Sequence, residues 1–324
     1  MAPVDTSPAP PEGHSVSLGT VAPVLFVALW STGFVGARYG LPDAEPFTFL
    51  LIRLSIAAAL LGLIAGLTRA PWPRSRRAWR HAAVAGLLLH GGYLGGVFYA
   101  VDRGVPAGIA AVIVSLQPVV TSALVPRLLG DVVGRRAWLG LLLGLLGVAL
   151  VVVPDAVGSA SGALPVAGVV ACLVALAATT CGTLYQKRYG PEVPLLSGAA
   201  VQYAACSVAL LGLATATETM DVRWTGAFIA SLTWLILALS VGAVLLLLTL
   251  LRRGSAVRVS SLFYLVPPAT ALEAYVLLDE RLSLPQLLGM LLAVCGVALV
   301  MAAPAGRPPA GGHRPASSSG RALR

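Results

Sequence analysis

The sequence predicts an all-α integral membrane protein of ten transmembrane helices, built as two inverted five-helix repeats. Three observations carry that expectation. Apolar runs of about 20 residues, long enough to cross a bilayer as helix, follow one another with short breaks between them. One block, residues 118–151, comes round again without a gap as residues 267–300. Positive side chains gather in every second break.

At the repeat's shift of 149 residues, Pro118 falls on Pro267, Thr121 on Thr270, Asp131 on Glu280 and Gly140 on Gly289. Gly147-Val148-Ala149-Leu150-Val151 meets the identical Gly296-Val297-Ala298-Leu299-Val300, and Arg38-Tyr39-Gly40 reappears as Arg188-Tyr189-Gly190. The chain is one unit written twice, which divides it into a first repeat over 19–153 and a second over 154–303. Residues 1–18 are Pro-rich and hold no Lys or Arg, so they lack the basic start of a secretory signal. They read as a disordered tail, as does the Gly/Pro/Ser-rich stretch 304–324.

Composition agrees with the membrane reading. Hydrophobic residues make up 57% of the 324 and charged residues 11%, against roughly 25% charged in an average soluble domain. The formal net charge of +9 is not a basic face on a soluble fold, so no nucleic-acid partner is expected. Cys172, Cys181, Cys206 and Cys295 all lie inside apolar runs and form no C-x-x-C, which makes them packing residues. No metal site or cofactor is expected.

The ten apolar segments run over 21–37, 46–67, 81–101, 107–128, 138–153, 164–186, 195–217, 224–251, 255–278 and 284–301, the fifth barely long enough to span untilted. Each is read as helix, because backbone groups in hydrocarbon must be satisfied within their own segment. Of the 22 basic residues, 17 lie in the C-terminal tail or in, or within one helical turn of, the breaks after the second, fourth, sixth and eighth segments. The alternate breaks carry only Arg38, Arg103, Arg223 and Arg281. Positive charge is retained in the cytoplasm, so both termini are expected there, in a multi-pass protein of the cell (inner) membrane. Five is odd, so the second copy enters the membrane from the opposite side. Inverted repeats of this kind recur in secondary transporters, where two halves enclose a site near mid-membrane.

The residues also resemble a known family. Leu29-Trp30-Ser31-Thr32-Gly33-Phe34, Arg53, the Gln117-Pro118 step and Leu278-Asp279-Glu280-Arg281-Leu282, followed by Gly289 and Gly-Val-Ala-Leu-Val, are similar to an EamA-type member of the drug/metabolite transporter superfamily. The resemblance covers nearly the whole chain apart from its tails. It implies a ten-helix inner-membrane carrier with cytoplasmic ends, commonly an exporter of amino acids, other metabolites or drugs. The chain departs from the family pattern at Asp131, where Glu is usual, and at Thr32-Gly33, where Ser-Asn is frequent.

Few ionisable side chains lie within the spans, where each is costly to keep. Arg53 stands eight residues after Glu45, roughly 12 Å from the outer end. It is a candidate cation for a substrate carboxylate or phosphate, with a structural salt bridge as the alternative. Glu273, six residues before Asp279 and roughly 9 Å deep, is a candidate for proton coupling, a partly desolvated carboxylate that loads and releases a proton; pairing with Arg53 is its alternative. His90, near the middle of the third segment, is a candidate for substrate binding or proton shuttling. Pro118, Pro267 and Pro268 interrupt the fourth and ninth segments at equivalent places and are candidate hinges that free carbonyls toward a cavity. Trp30, Tyr99, Gln117, Gln202, Tyr203 and Tyr264 complete the candidate substrate-binding set, each with helix packing as the alternative. Asp131 and Glu280 read as span-end caps, and Gly91, Gly92, Gly95, Gly96, Gly140 and Gly144 as points of close helix approach.

The expected function is secondary active transport, most readily export of a small metabolite by alternating access. The expected partners are a small-molecule substrate and the lipid bilayer, with proton coupling and a homodimer also admitted by the pattern. No G-x-x-x-x-G-K-[ST] is present, which argues against ATP hydrolysis. The competing class is an intramembrane enzyme on a lipid-linked substrate, against which H-E-x-x-H, G-x-S-x-G and a close mid-span carboxylate pair are all missing.

Overall fold

The computed structural model describes residues 18–105, 107–159, 165–278 and 283–303. Asp279, Glu280 and Arg281 and most of both expected tails lie outside these residues. Within them the chain is helical, and seven helices are long and apolar enough to cross a membrane: Pro46–Leu67, Arg76–Asp102, Arg135–Val152, Val166–Glu192, Leu195–Thr217, Gly226–Arg253 and Leu284–Met301.

The first copy runs α1 (Leu18–Gly40), α2 (Pro46–Leu67), α3 (Arg76–Gly86), a π-helical turn (Leu87–Gly92), α4 (Tyr93–Asp102), α5 (Ala107–Val114), α6 (Gln117–Leu128) and α7 (Arg135–Ser159). The second runs α8 (Val166–Tyr189), α9 (Leu195–Thr217), α10 (Gly226–Trp234), a π-helical stretch (Leu235–Ala243), α11 (Val244–Arg253), α12 (Ala256–Ser261), a 3-10 turn (Leu262–Leu265), α13 (Val266–Leu278) and α14 (Leu284–Met301). The irregularities repeat with the sequence. Both third spans carry a π segment, and both fourth spans are broken, after α5 in one copy and by the 3-10 turn in the other. The expectation of a proline bend at mid-span is refined here. Pro118 and Pro267 sit in the first turn after each break, where the missing N–H would have had no helical partner.

Helix starts follow from local chemistry. Ser75, Thr225 and Ser255 accept from the backbone N–H three residues on, capping α3, α10 and α12. Ser283 and Gln286 form a capping box at α14.

Equivalent helices of the two copies pack on each other: α2 on α9 and α7 on α14. Both pairs run antiparallel. A Cβ placed on Gly140 would lie 2.5 Å from Gly296 O, and one on Gly147 would lie 2.6 Å from Gly289 O, so the α7–α14 seam brings backbone onto backbone. For α2 and α9, Glu218 at the end of α9 accepts from Phe47 N and Thr48 N at the start of α2 (both 2.7 Å). The first helix of each copy packs on the third span of the other, α1 on α10 and α11, and α8 on α3 and α4.

The breaks sort into two groups by what they touch. In one, Ser197 donates to Pro71 O (2.6 Å), Arg188 to Leu128 O (2.9 Å), Lys187 to Leu251 O (2.9 Å), and Arg252 to Gly190 O (3.2 Å). These are the basic breaks, in which Lys187, Arg188 and Arg252 donate to carbonyls at helix C-terminal ends. In the other group Ala44 pairs with Val222, Arg223 meets Asp43 at 3.1 Å, and Glu45 accepts from Thr219 N (2.7 Å) and Met220 N (3.0 Å).

Candidate functional site

Both π segments open onto one interior cavity of about 80 Å³, whose walls include Trp30 of α1, Arg53 and Leu54 of α2, Leu89 and His90 of the first π turn, Tyr93 and Phe98 of α4, Tyr203 of α9 and Leu239 of the second π stretch. A π turn holds one extra residue and shifts the side chains after it, which is why such turns collect at sites that must aim a group inward. Close packing makes the positions possible. A Cβ on Gly86 would lie 2.3 Å from Gln202 O, and one on Gly96 would lie 2.8 Å from Ala171 O.

Arg53 is only 5% exposed. Its Nε donates to Ser240 Oγ at 3.0 Å, while Tyr203 OH donates to Ser240 O at 2.6 Å, so one residue of the second π stretch ties α2 to α9. No carboxylate among the described residues forms an ion pair with Arg53. His90 is 3% exposed, its ring 4.6 Å from that of Tyr203, and its Nε2 has no hydrogen-bond partner among the described residues. Trp30 is held edge-on by Phe263, with ring centres 5.3 Å apart.

Four of the residues expected to bind substrate thus share one cavity: Trp30, Arg53, His90 and Tyr203. The remaining four do not line it. Tyr99 stacks on Phe47 at 6.1 Å beneath the Arg103 guanidinium. Gln117 donates to Thr121 (3.2 Å), Thr183 (3.3 Å) and Ser260 (3.0 Å), a separate polar cluster at the broken fourth span. The Gln202 amide donates to Gln186 Oε1 at 3.2 Å. Tyr264 is fully buried, and its ring fills the space a Cβ on Gly144 would need.

Glu273 does not pair with Arg53. Its Oε1 accepts from Ser31 Oγ at 2.5 Å, and its Oε2 is buried without a partner among the described residues. The carboxylate of the second copy therefore meets the Trp30-Ser31-Thr32 stretch of the first, one residue from the cavity wall.

Ser240, Leu239, Tyr93 and Phe98 were not singled out from the sequence as site residues. The repeat map held part of the signal, since a shift of 149 sends His90 to Leu239 and Leu54 to Tyr203, and all four line the cavity. Phe98 also lines a second hollow of about 430 Å³ beside Asp43, Glu45, Asp102 and Arg223.

Comparison with known proteins gives a consistent answer. The EamA-like transporter family matches twice, over residues 17–153 and 166–302. YvbV of Bacillus subtilis, an uncharacterized transporter, is 30% identical over 85% of this chain and 88% of its own. A protein of Escherichia coli strain K12 bearing the name "Probable amino-acid metabolite efflux pump" is 26% identical over 86% of this chain and 92% of its own. A solved crystal structure shares the fold, with a TM-score of 0.74 at 23% identity over 86% of this chain and 95% of its own. The chain belongs to the EamA-like transporter family, as a membrane protein carrying two copies of that family's domain.

Proposed function

We propose that this transporter is a secondary active exporter of a small metabolite, an amino acid, related organic solute or drug, moved by alternating access across the cell (inner) membrane. The observation that carries the reading is Arg53, a buried cation without a carboxylate partner among the described residues, on the wall of a cavity to which both copies contribute. A charge kept inside a membrane bundle is costly and marks a substrate or ion path. Trp30, Arg53, His90 and Tyr203 hold the substrate. Glu273, whose Oε1 accepts from Ser31 and whose buried Oε2 has no partner among the described residues, carries the coupling proton, and the breaks before Pro118, Pro267 and Pro268 flex.

In this reading ten spans cross the membrane as two inverted repeats, 19–153 and 154–303, with both termini cytoplasmic. The antiparallel α7–α14 and α2–α9 pairs support the inversion, since equivalent helices must run oppositely if one copy is inserted upside down. The spans beyond the seven long helices are α1, whose apolar stretch is Val21–Gly33, and the two broken fourth spans, whose halves are individually too short. The basic breaks gather at one end, the arrangement of a cytoplasmic face.

The test is a metabolite comparison of medium and cytoplasm in cells lacking and overproducing the protein, followed by flux of the responding solute into sealed vesicles. A solute whose export follows the protein, and whose flux is lost in Arg53→Ala, is the expected result. Equal metabolite profiles, or conversion of a lipid-linked compound in detergent without a sealed membrane, would overturn it.

A further inference from the structure

We infer that the cavity selects a small organic monoanion with a short apolar body and discriminates against zwitterions and amines. This rests on the transport reading and narrows its solute list to one charge class, leaving out amino acids in their zwitterionic form. The observation is a charge imbalance. Arg53 brings one fixed positive charge into the cavity, and none of the described residues lining it carries a carboxylate. Its hydrogen-bond partner, Ser240, is neutral. A buried cation without a counter-charge favours whatever anion can enter, and a guanidinium offers a planar fork suited to a carboxylate.

A monoanion neutralises the cavity. A zwitterion does not, because its ammonium is carried in beside the guanidinium with no acid on the wall to receive it. Glu273, one of whose oxygens accepts from Ser31 beside Trp30, is not among the described residues lining the cavity. An amine meets the guanidinium with repulsion and no compensation. The remaining walls decide the body of the solute: Leu54, Leu89, Tyr93, Phe98 and Leu239 present apolar or ring surface, and the unpartnered Nε2 of His90 supplies one further polar contact.

Three probes sharing one two-carbon body, small enough for a cavity of about 80 Å³, separate the alternatives: propionate, alanine and ethylamine, titrated calorimetrically against the full chain in detergent. The acid should bind at least tenfold more tightly than the other two and lose at least tenfold in Arg53→Gln. Arg53→Lys, which keeps the charge, guards against misfolding of the first variant and should preserve the order acid over amine. Alanine binding as tightly as the acid, the amine binding best, none of the three binding, or acid affinity unchanged in a folded Arg53→Gln protein would each overturn the inference. Failure of the transport reading looks different, because then no solute follows the protein in the metabolite comparison. Flux of a zwitterion or an amine that follows it would instead leave transport standing and sink the charge preference.

Discussion

Along α7 and α14 the two copies meet like for like, Gly140 and Gly147 against Gly296 and Gly289, whereas at the cavity they meet unlike for unlike. There His90 of the first copy stands across from Leu239, its own counterpart, and Leu54 shares the wall with its counterpart Tyr203. Arg53 has Gln202 as its equivalent, a neutral amide turned to Gln186. Duplication is kept where backbones touch, because any side chain there pushes the helices apart. It is abandoned at the cavity proposed to hold solute, where a symmetric site would carry either two buried cations or none.

The sharpest way to break this contrast is to make the copies alike at the cavity. Arg53→Gln gives α2 the residue of α9, and flux of the transported solute is expected to fall about 30-fold or more, the order seen when one partner of a buried charge contact is removed. Vesicle flux measures it, with unchanged elution on size exclusion showing that the fold persists.

The seam comes next. Gly147→Leu drives a side chain into the α14 backbone, and a loss of about 1–3 kcal/mol or more is expected by thermal unfolding in detergent. Gly62, which has open space where its Cβ would be, should tolerate Leu without measurable loss.

Glu218→Ala removes the acceptor for the first N–H groups of α2, and a loss of about 1.5–3 kcal/mol follows for charge-assisted hydrogen bonds, read by the same unfolding assay. The smallest effect on stability belongs to Pro118→Ala and Pro267→Ala. Proline in a first turn replaces no helical hydrogen bond, so less than about 1 kcal/mol should be lost, while a several-fold change in flux would locate the flexing at these breaks.

Much of this architecture could be read from the chain alone, because the length of an apolar run is set by bilayer thickness and a gapless repeat reports equivalence directly. What escaped was azimuth. Residue counts place Arg53 and Glu273 at similar depths from the same end but not on the same side, and the structure turns one to Ser240 and the other to Ser31. Tyr99, Gln117 and Tyr264 likewise had plausible depths and different neighbours. The π segments were illegible for a different reason. They lie in continuous apolar stretches, where one extra residue per turn leaves hydropathy unchanged. Prolines 118 and 267 pointed to the right spans but marked the turn after each break, since proline fits a helix start better than a helix middle.

The glycine seam also limits how the molecule can move. Backbone lies against backbone where Gly140 and Gly147 meet Gly296 and Gly289, which opposes sliding, so under alternating access these two helices are expected to serve as a fulcrum about which the remaining helices swing. Spin labels on the lipid-facing sides of Leu146 and Leu291 should keep a constant separation with and without solute, while a pair spanning the Ala44–Val222 contact reports the swing.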